Sequence, residues 1–193
     1  MTAVRRSQSA APLDATMRRY DPRWLIVTLA NLLLGWLAGL LNHALAGLAV
    51  HLYLGGLLVT YAALRLDPRS GFTATLLTGL AVDALSPAPF GTSVFLFCLV
   101  HGVLLYGRHR FPREGAVFAL VVALLANLFL MIALSFLLVS ASPQPASAWL
   151  RIFADLLFSQ LALVVIGPWF ISLQDRAMAL AGIHPETGRP VTR

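Results

Sequence analysis

The sequence predicts an all-α membrane protein, a bundle of six transmembrane helices with both termini in the cytoplasm. Three observations carry that prediction. The first is composition: 59% of the 193 residues are hydrophobic and only 11% are charged, against roughly 25% charged in a soluble domain. The second is patterning. The charges fall in short clusters between long apolar runs, leaving helices without the polar face that a water-exposed surface needs. The third is the placement of the arginines, which supply all 14 basic residues.

Six apolar runs follow one another, at residues 24–41, 45–64, 71–85, 92–106, 115–139 and 148–173. Asn42 and His43 break the first from the second. Arg65, Asp67, Pro68 and Arg69 stop the second. Between the third and fourth lies Ser86-Pro87-Ala88-Pro89-Phe90-Gly91, where two prolines and a glycine rule out continuous helix. Arg108, Arg110, Pro112 and Arg113 follow the fourth, and a Ser/Pro stretch at 140–147 follows the fifth. Runs three and four are shorter than the ~20 residues an upright helix needs to cross the hydrocarbon. They are expected as a thin hairpin, or as a pair shielded from lipid by the other helices.

Topology follows from charge. Residues 1–23 form an Arg-rich tail holding Arg5, Arg6, Arg18, Arg19 and Arg23, and residues 174–193 form a second tail with Arg176, Arg189 and Arg193. The loops after runs two and four hold the rest, except Arg151. Thirteen of the 14 arginines therefore share one side, the cytoplasm by the positive-inside rule. Six spans at 24–173 satisfy every loop, and five would break the alternation. A signal peptide would show a short apolar core and a small-residue cleavage site; here the first apolar run starts late and is long. Trp24, Trp149 and Trp169 sit at run ends, where headgroups favour indole rings, while Trp36 lies deeper and is expected to pack. The net charge of +6 is explained by topology, so no nucleic acid is expected as a partner; the lipid bilayer is.

Motifs for catalysis are missing. There is no P-loop, no HExxH, no GxSxG and no acidic pair spaced for glycosidase or phosphatase chemistry. Cys98 is the one cysteine, which excludes an internal disulfide. No enzyme activity, cofactor or metal is expected. Asp83 and Asp155 are the two carboxylates inside apolar runs, where a charge is costly unless it finds partners. Each has two readings. One is a polar pocket or partner-docking point. The other is a local cap: Asp83 on amides around Ser86 and Gly91, Asp155 paired with Arg151 one turn before it. Asn31, Asn127, Gln160, His51 and His101 are expected to make interhelical hydrogen bonds. Gly35 and Gly39 form a GxxxG that predicts close packing of the first helix against a neighbour.

The stretch 65–115 reads RLDPRSGFTATLLTGLAVDALSPAPFGTSVFLFCLVHGVLLYGRHRFPREG. Its Gly79-Leu80-x-x-Asp83, followed by Pro89-Phe90-Gly91 and an apolar run ending in arginines, resembles the rod shape-determining MreD family. The resemblance implicates Gly79, Asp83, Pro89 and Gly91, with Asp155 the further candidate outside the motif. It implies a non-catalytic protein of the bacterial inner membrane. Its partners would be an MreC-like protein, the MreB filament, a RodA-type glycan polymerase and a class-B transpeptidase. The family's fold is similar to that of the substrate-binding S components of energy-coupling-factor vitamin transporters, and such a vitamin binder is the alternative reading.

Overall fold

The computed structural model describes residues 22–48, 50–86, 88–108, 115–139 and 145–182. The arginines expected at positions 5, 6, 18, 19, 110, 113, 189 and 193, and the 140–144 part of the Ser/Pro stretch, lie outside the described residues. Six helices follow in order: α1 (Arg23–Leu45), α2 (Gly55–Arg65), α3 (Pro68–Leu85), α4 (Thr92–Gly107), α5 (Ala116–Val139) and α6 (Pro145–Leu180). A single 3₁₀ turn, Ala46–Leu48, follows α1, and no strand occurs among the described residues. Among the described residues three stretches are long and apolar enough to cross a membrane: Arg23–Leu48, Val117–Leu137 and Trp149–Leu180.

The bundle is organised around its shortest helix. Every residue of α2 from Gly55 to Ala63 is buried, with α3, α4 and α5 packed around it and α1 and α6 closing the remaining sides. Its sequence suits that place. Among lipid-like surroundings helices gain little from hiding apolar surface and associate by close packing, which favours small side chains. Gly55, Gly56, Thr60, Ala62 and Ala63 supply them. A Cβ added at Gly56 would collide with the Asn127 amide and the Ala123 carbonyl of α5, so the two backbones touch there. Gly79 does the same between α3 and α4, where a Cβ would stand 2.9 Å from the Val94 Cα.

Local rules fix the starts of the flanking helices. Asp67 caps α3, accepting from the Ser70 N–H at 3.0 Å, and Pro68 occupies the first turn, where a missing N–H costs nothing. Burial pushes the Asp67 carboxyl up, but its bonds from the Ser70 backbone and hydroxyl, with further backbone donors, hold it below the usual carboxylate range. Arg108, at the end of α4, donates to the Leu66 carbonyl at 2.8 Å. That bond brings Arg65, Arg69 and Arg108 to one end of the bundle.

Four expectations are corrected. The run 45–64 is not one helix: residues 50–54 are non-helical and only Gly55–Arg65 forms α2. The polar stretch after Leu173 is not a tail from the start, because α6 continues to Leu180 and buries Gln174 and Met178. Among the described residues no atom lies within 4 Å of a Cβ placed at Gly35 or Gly39, so the GxxxG makes no close packing there; α1 turns Val27, Thr28, Asn31 and Leu34 inward. Trp36 is 59% exposed on the outer side of α1 and is not a packing residue.

Gly56→Ala is expected to destabilise the folded chain by about 1–3 kcal/mol, the usual cost of overpacking, whereas Gly35→Ala is neutral or mildly stabilising through better helix propensity. Thermal unfolding of both variants in one detergent, followed by size-exclusion chromatography, measures the contrast; equal midpoints would show that α2 and α5 are not in backbone contact.

Candidate functional site

Polar side chains in an apolar bundle are expensive unless each finds a partner, so their partners reveal what they are for. Three groups emerge.

The first surrounds the turn between α3 and α4. Asp83 sits in the last turn of α3, is buried, and accepts three backbone N–H groups: Gly91 at 2.9 Å and Val94 at 3.1 Å on Oδ2, Ser93 at 2.7 Å on Oδ1. These are donors that the start of a helix leaves orphaned, and a carboxylate there also meets the favourable end of the helix dipole. Gly91 is left-handed, with φ +96°, a conformation that a side chain disfavours. The Pro89 carbonyl receives the Thr92 N–H at 3.1 Å and the Thr92 hydroxyl at 2.7 Å. Gly79 lets α4 approach α3 at Val94. Gly79, Asp83, Pro89 and Gly91 thus belong to one structural unit: a close helix pair, its cap and its turn.

The second group holds the interrupted run. The His51 N–H donates to Asp155 Oδ1 at 2.8 Å, and the Tyr53 N–H to Ser159 Oγ at 2.9 Å. Asn42 pairs with Leu52 in both directions, accepting its N–H at 2.7 Å and donating to its carbonyl at 2.9 Å. The Gly56 N–H, at the start of α2, donates to Asn127 Oδ1 at 3.0 Å. Asp155 therefore acts apart from the Asp83 turn, and its carboxylate serves His51 rather than the expected Arg151. Asp155 and Ser159 are four residues apart, so they share a face of α6 and together grip one non-helical segment.

The third is a knot across three helices and α2. Asn31 of α1 donates through Nδ2 to the Leu58 carbonyl at 2.8 Å and the Thr78 hydroxyl at 3.1 Å, and Gln174 of α6 donates to Asn31 Oδ1 at 3.2 Å. Nearby bonds extend the pattern. Tyr61 donates to Asp175 at 2.8 Å, Gln160 to the Leu124 carbonyl at 3.1 Å, and Thr75 pairs with His101 Nδ1 at 3.0 Å.

In all three groups the side chains hold backbone or one another in place. Among the described residues no three His, Cys, Asp or Glu side chains gather in a way that could hold a metal ion. Sequence reasoning missed Asn42 as a ligand of the interrupted segment, and Ser159, Thr78, Gln174 and Asp175 as partners. The spacing of Asp155 and Ser159 could have suggested a shared face, but nothing in the sequence says which segment meets it. No protein-family model, curated protein or solved structure matches the chain. The fold and the site define a helical membrane-type protein whose buried polar groups are structural clamps.

The two carboxylates should respond differently to amidation. Asp83 uses both oxygens for three N–H groups, so Asp83→Asn turns an NH₂ toward donors and should cost nearly as much as Asp83→Ala, about 2–4 kcal/mol for orphaned buried donors. Asp155 uses one oxygen, so Asp155→Asn should retain most of the stability that Asp155→Ala loses. Unfolding midpoints of the four variants test this; indistinguishable Asn and Ala variants at both sites would contradict the assigned bonds.

Proposed function

We propose that this chain is a six-span protein of the bacterial inner membrane with both termini in the cytoplasm. It acts there as a non-catalytic, MreD-like scaffold of the cell-wall elongation machinery. The observation that carries the reading is the Asp83 turn. The residues that bear the family resemblance, Gly79, Asp83, Pro89 and Gly91, cooperate in one rigid, self-capped feature at the end of the bundle opposite Arg65, Arg69 and Arg108. A rigid, charge-neutralised turn presents a fixed surface, which suits a protein that positions others. The arginine cluster at the opposite end supports the topology by the positive-inside rule. α3, with 18 residues, and α4, with 16, form the third and fourth segments as a short hairpin that enters and leaves on the cytoplasmic side.

The expected partners are an MreC-like protein, the MreB filament, a RodA-type polymerase and a class-B transpeptidase. The alternative, an S component for vitamin uptake, draws on one feature: the non-helical stretch 50–54, the kind of backbone that lines cavities in membrane proteins. Its donors are already taken. His51, Leu52 and Tyr53 give their N–H groups to Asp155, Asn42 and Ser159, so this segment offers a ligand few free amides, and the scaffold is the better reading.

Depletion of the protein in its native bacterium is expected to round the cells and remove new wall insertion from the sidewall. Complementation with Asp83→Ala should fail while Gly35→Ala restores rods. Cells that keep their rod shape on depletion, with vitamin uptake reduced, would replace the scaffold by the S component.

A further inference from the structure

The hydrogen-bond knot at Asn31 sets α1, α2 and α3 at a common level, and from that level the helices reach different heights. Asn31 bonds both Leu58 and Thr78. From Asn31, α1 runs 14 more residues to Leu45, about 21 Å at 1.5 Å per residue. From Thr78, α3 runs only 7 more to Leu85, about 10 Å. α5 gives an independent measure. Asn127 is bonded to Gly56, two residues beyond Leu58 on the same side, and α5 continues 12 residues to Val139; the total is again about 21 Å. α4 is no taller than α3, because Val94, two residues after its first residue, lies against Gly79. The α3–α4 turn therefore stops about 10 Å below the ends of α1 and α5.

The turn is also dressed for an apolar medium. Residues 84–107 contain no Arg, Lys, Asp or Glu. Leu85 is 81% exposed and Phe90 73% among the described residues. Backbone in contact with acyl chains must satisfy its own donors, and six N–H groups of this turn do so. Ser86 N–H donates to the Asp83 carbonyl and Ala88 N–H to Ser86 Oγ. Thr92 donates to Pro89, and Gly91, Ser93 and Val94 donate to the Asp83 carboxylate. Positions 87 and 89 are prolines, which have no N–H. The taller end of α1 is different: Asn42 is followed by exposed His43, and His51 is exposed nearby.

We propose that the α3–α4 turn lies within the acyl region of the outer leaflet, roughly 10 Å beneath the ends of α1 and α5, with Leu85 and Phe90 in direct contact with lipid chains. The hairpin is then a short pair that never reaches the outer water, and Asp83 is the device that lets its backbone stay dry. The assignment to the outer leaflet rests on the topology proposed above, but the depth does not.

Nitroxide labels at Leu85→Cys, Phe90→Cys and His43→Cys, each in a Cys98→Ala full-length chain in phosphatidylcholine/phosphatidylglycerol vesicles, measure depth by collision with oxygen and with a water-soluble nickel chelate. The turn labels should collide several-fold more with oxygen than with nickel, and the His43 label the reverse. Nickel accessibility at Leu85 and Phe90 equal to that at His43 would put the turn in water and overturn the proposal. An immobilised nitroxide shielded from both reagents would also overturn it, since a second copy of the chain would then cover the turn. Labelling of His43→Cys in intact cells by a membrane-impermeant maleimide reports sidedness separately: no reaction would count against the six-span topology while leaving the depth readings valid.

Discussion

A backbone amide in an apolar medium must be bonded by the protein itself, and the eleven residues of α2 make that requirement acute. A helix of that length rises about 16 Å, roughly half the hydrocarbon thickness. The chain that leads into it is non-helical over 50–54, so its amides have no partners of their own. Asn42, Asp155 and Ser159 provide them for His51, Leu52 and Tyr53 from α1 and α6, and Asn127 of α5 takes the Gly56 N–H at the start of α2. Those bonds decide where three long helices stand relative to the short central one. Loss of an acceptor would leave a buried donor with neither water nor protein to receive it, a cost of about 1–3 kcal/mol.

The turn between α3 and α4 obeys the same constraint with a different solution. There a single carboxylate serves three donors. An amide has one acceptor oxygen and could not do so without pointing its own donors at theirs. The negative charge is offset by the start of α4, whose unpaired N–H groups carry partial positive charge. A charge that insertion scales count as a penalty is thus the least costly way of closing a tight turn away from water. The Gly91 left-handed conformation and the Gly79–Val94 approach are both needed for the three donors to converge on one side chain.

The existence and order of the helices were legible because long apolar runs leave few other choices. The break in the second run was not, since Val50-His51-Leu52-Tyr53-Leu54 is as apolar as the helices around it. The signal that ends the helix there lies on α1 and α6, far along the chain. The same holds for Gln174 and Asp175. Read locally they begin a polar tail, but Asn31 and Tyr61 wait for them across the bundle. Asp83 was more legible than Asp155 because its partners lie within eleven residues, while Asp155 meets His51 over 104. GxxxG misled for a related reason: spacing places Gly35 and Gly39 one and two turns beyond Asn31, but among the described residues no neighbouring atom comes within 4 Å of a Cβ at either.

These clamps have a consequence for the outside of the molecule. Because position is fixed from within by side chain to backbone bonds, the outward faces of α1, α5 and α6 carry no structural duty beyond being apolar. Leu29, Leu33, Trp36 and Leu40 on α1, and Phe153, Leu157 and Val165 on α6, are all exposed. Here Asn31, Asn42, Asp83, Asn127, Asp155 and Ser159 each hold the frame itself.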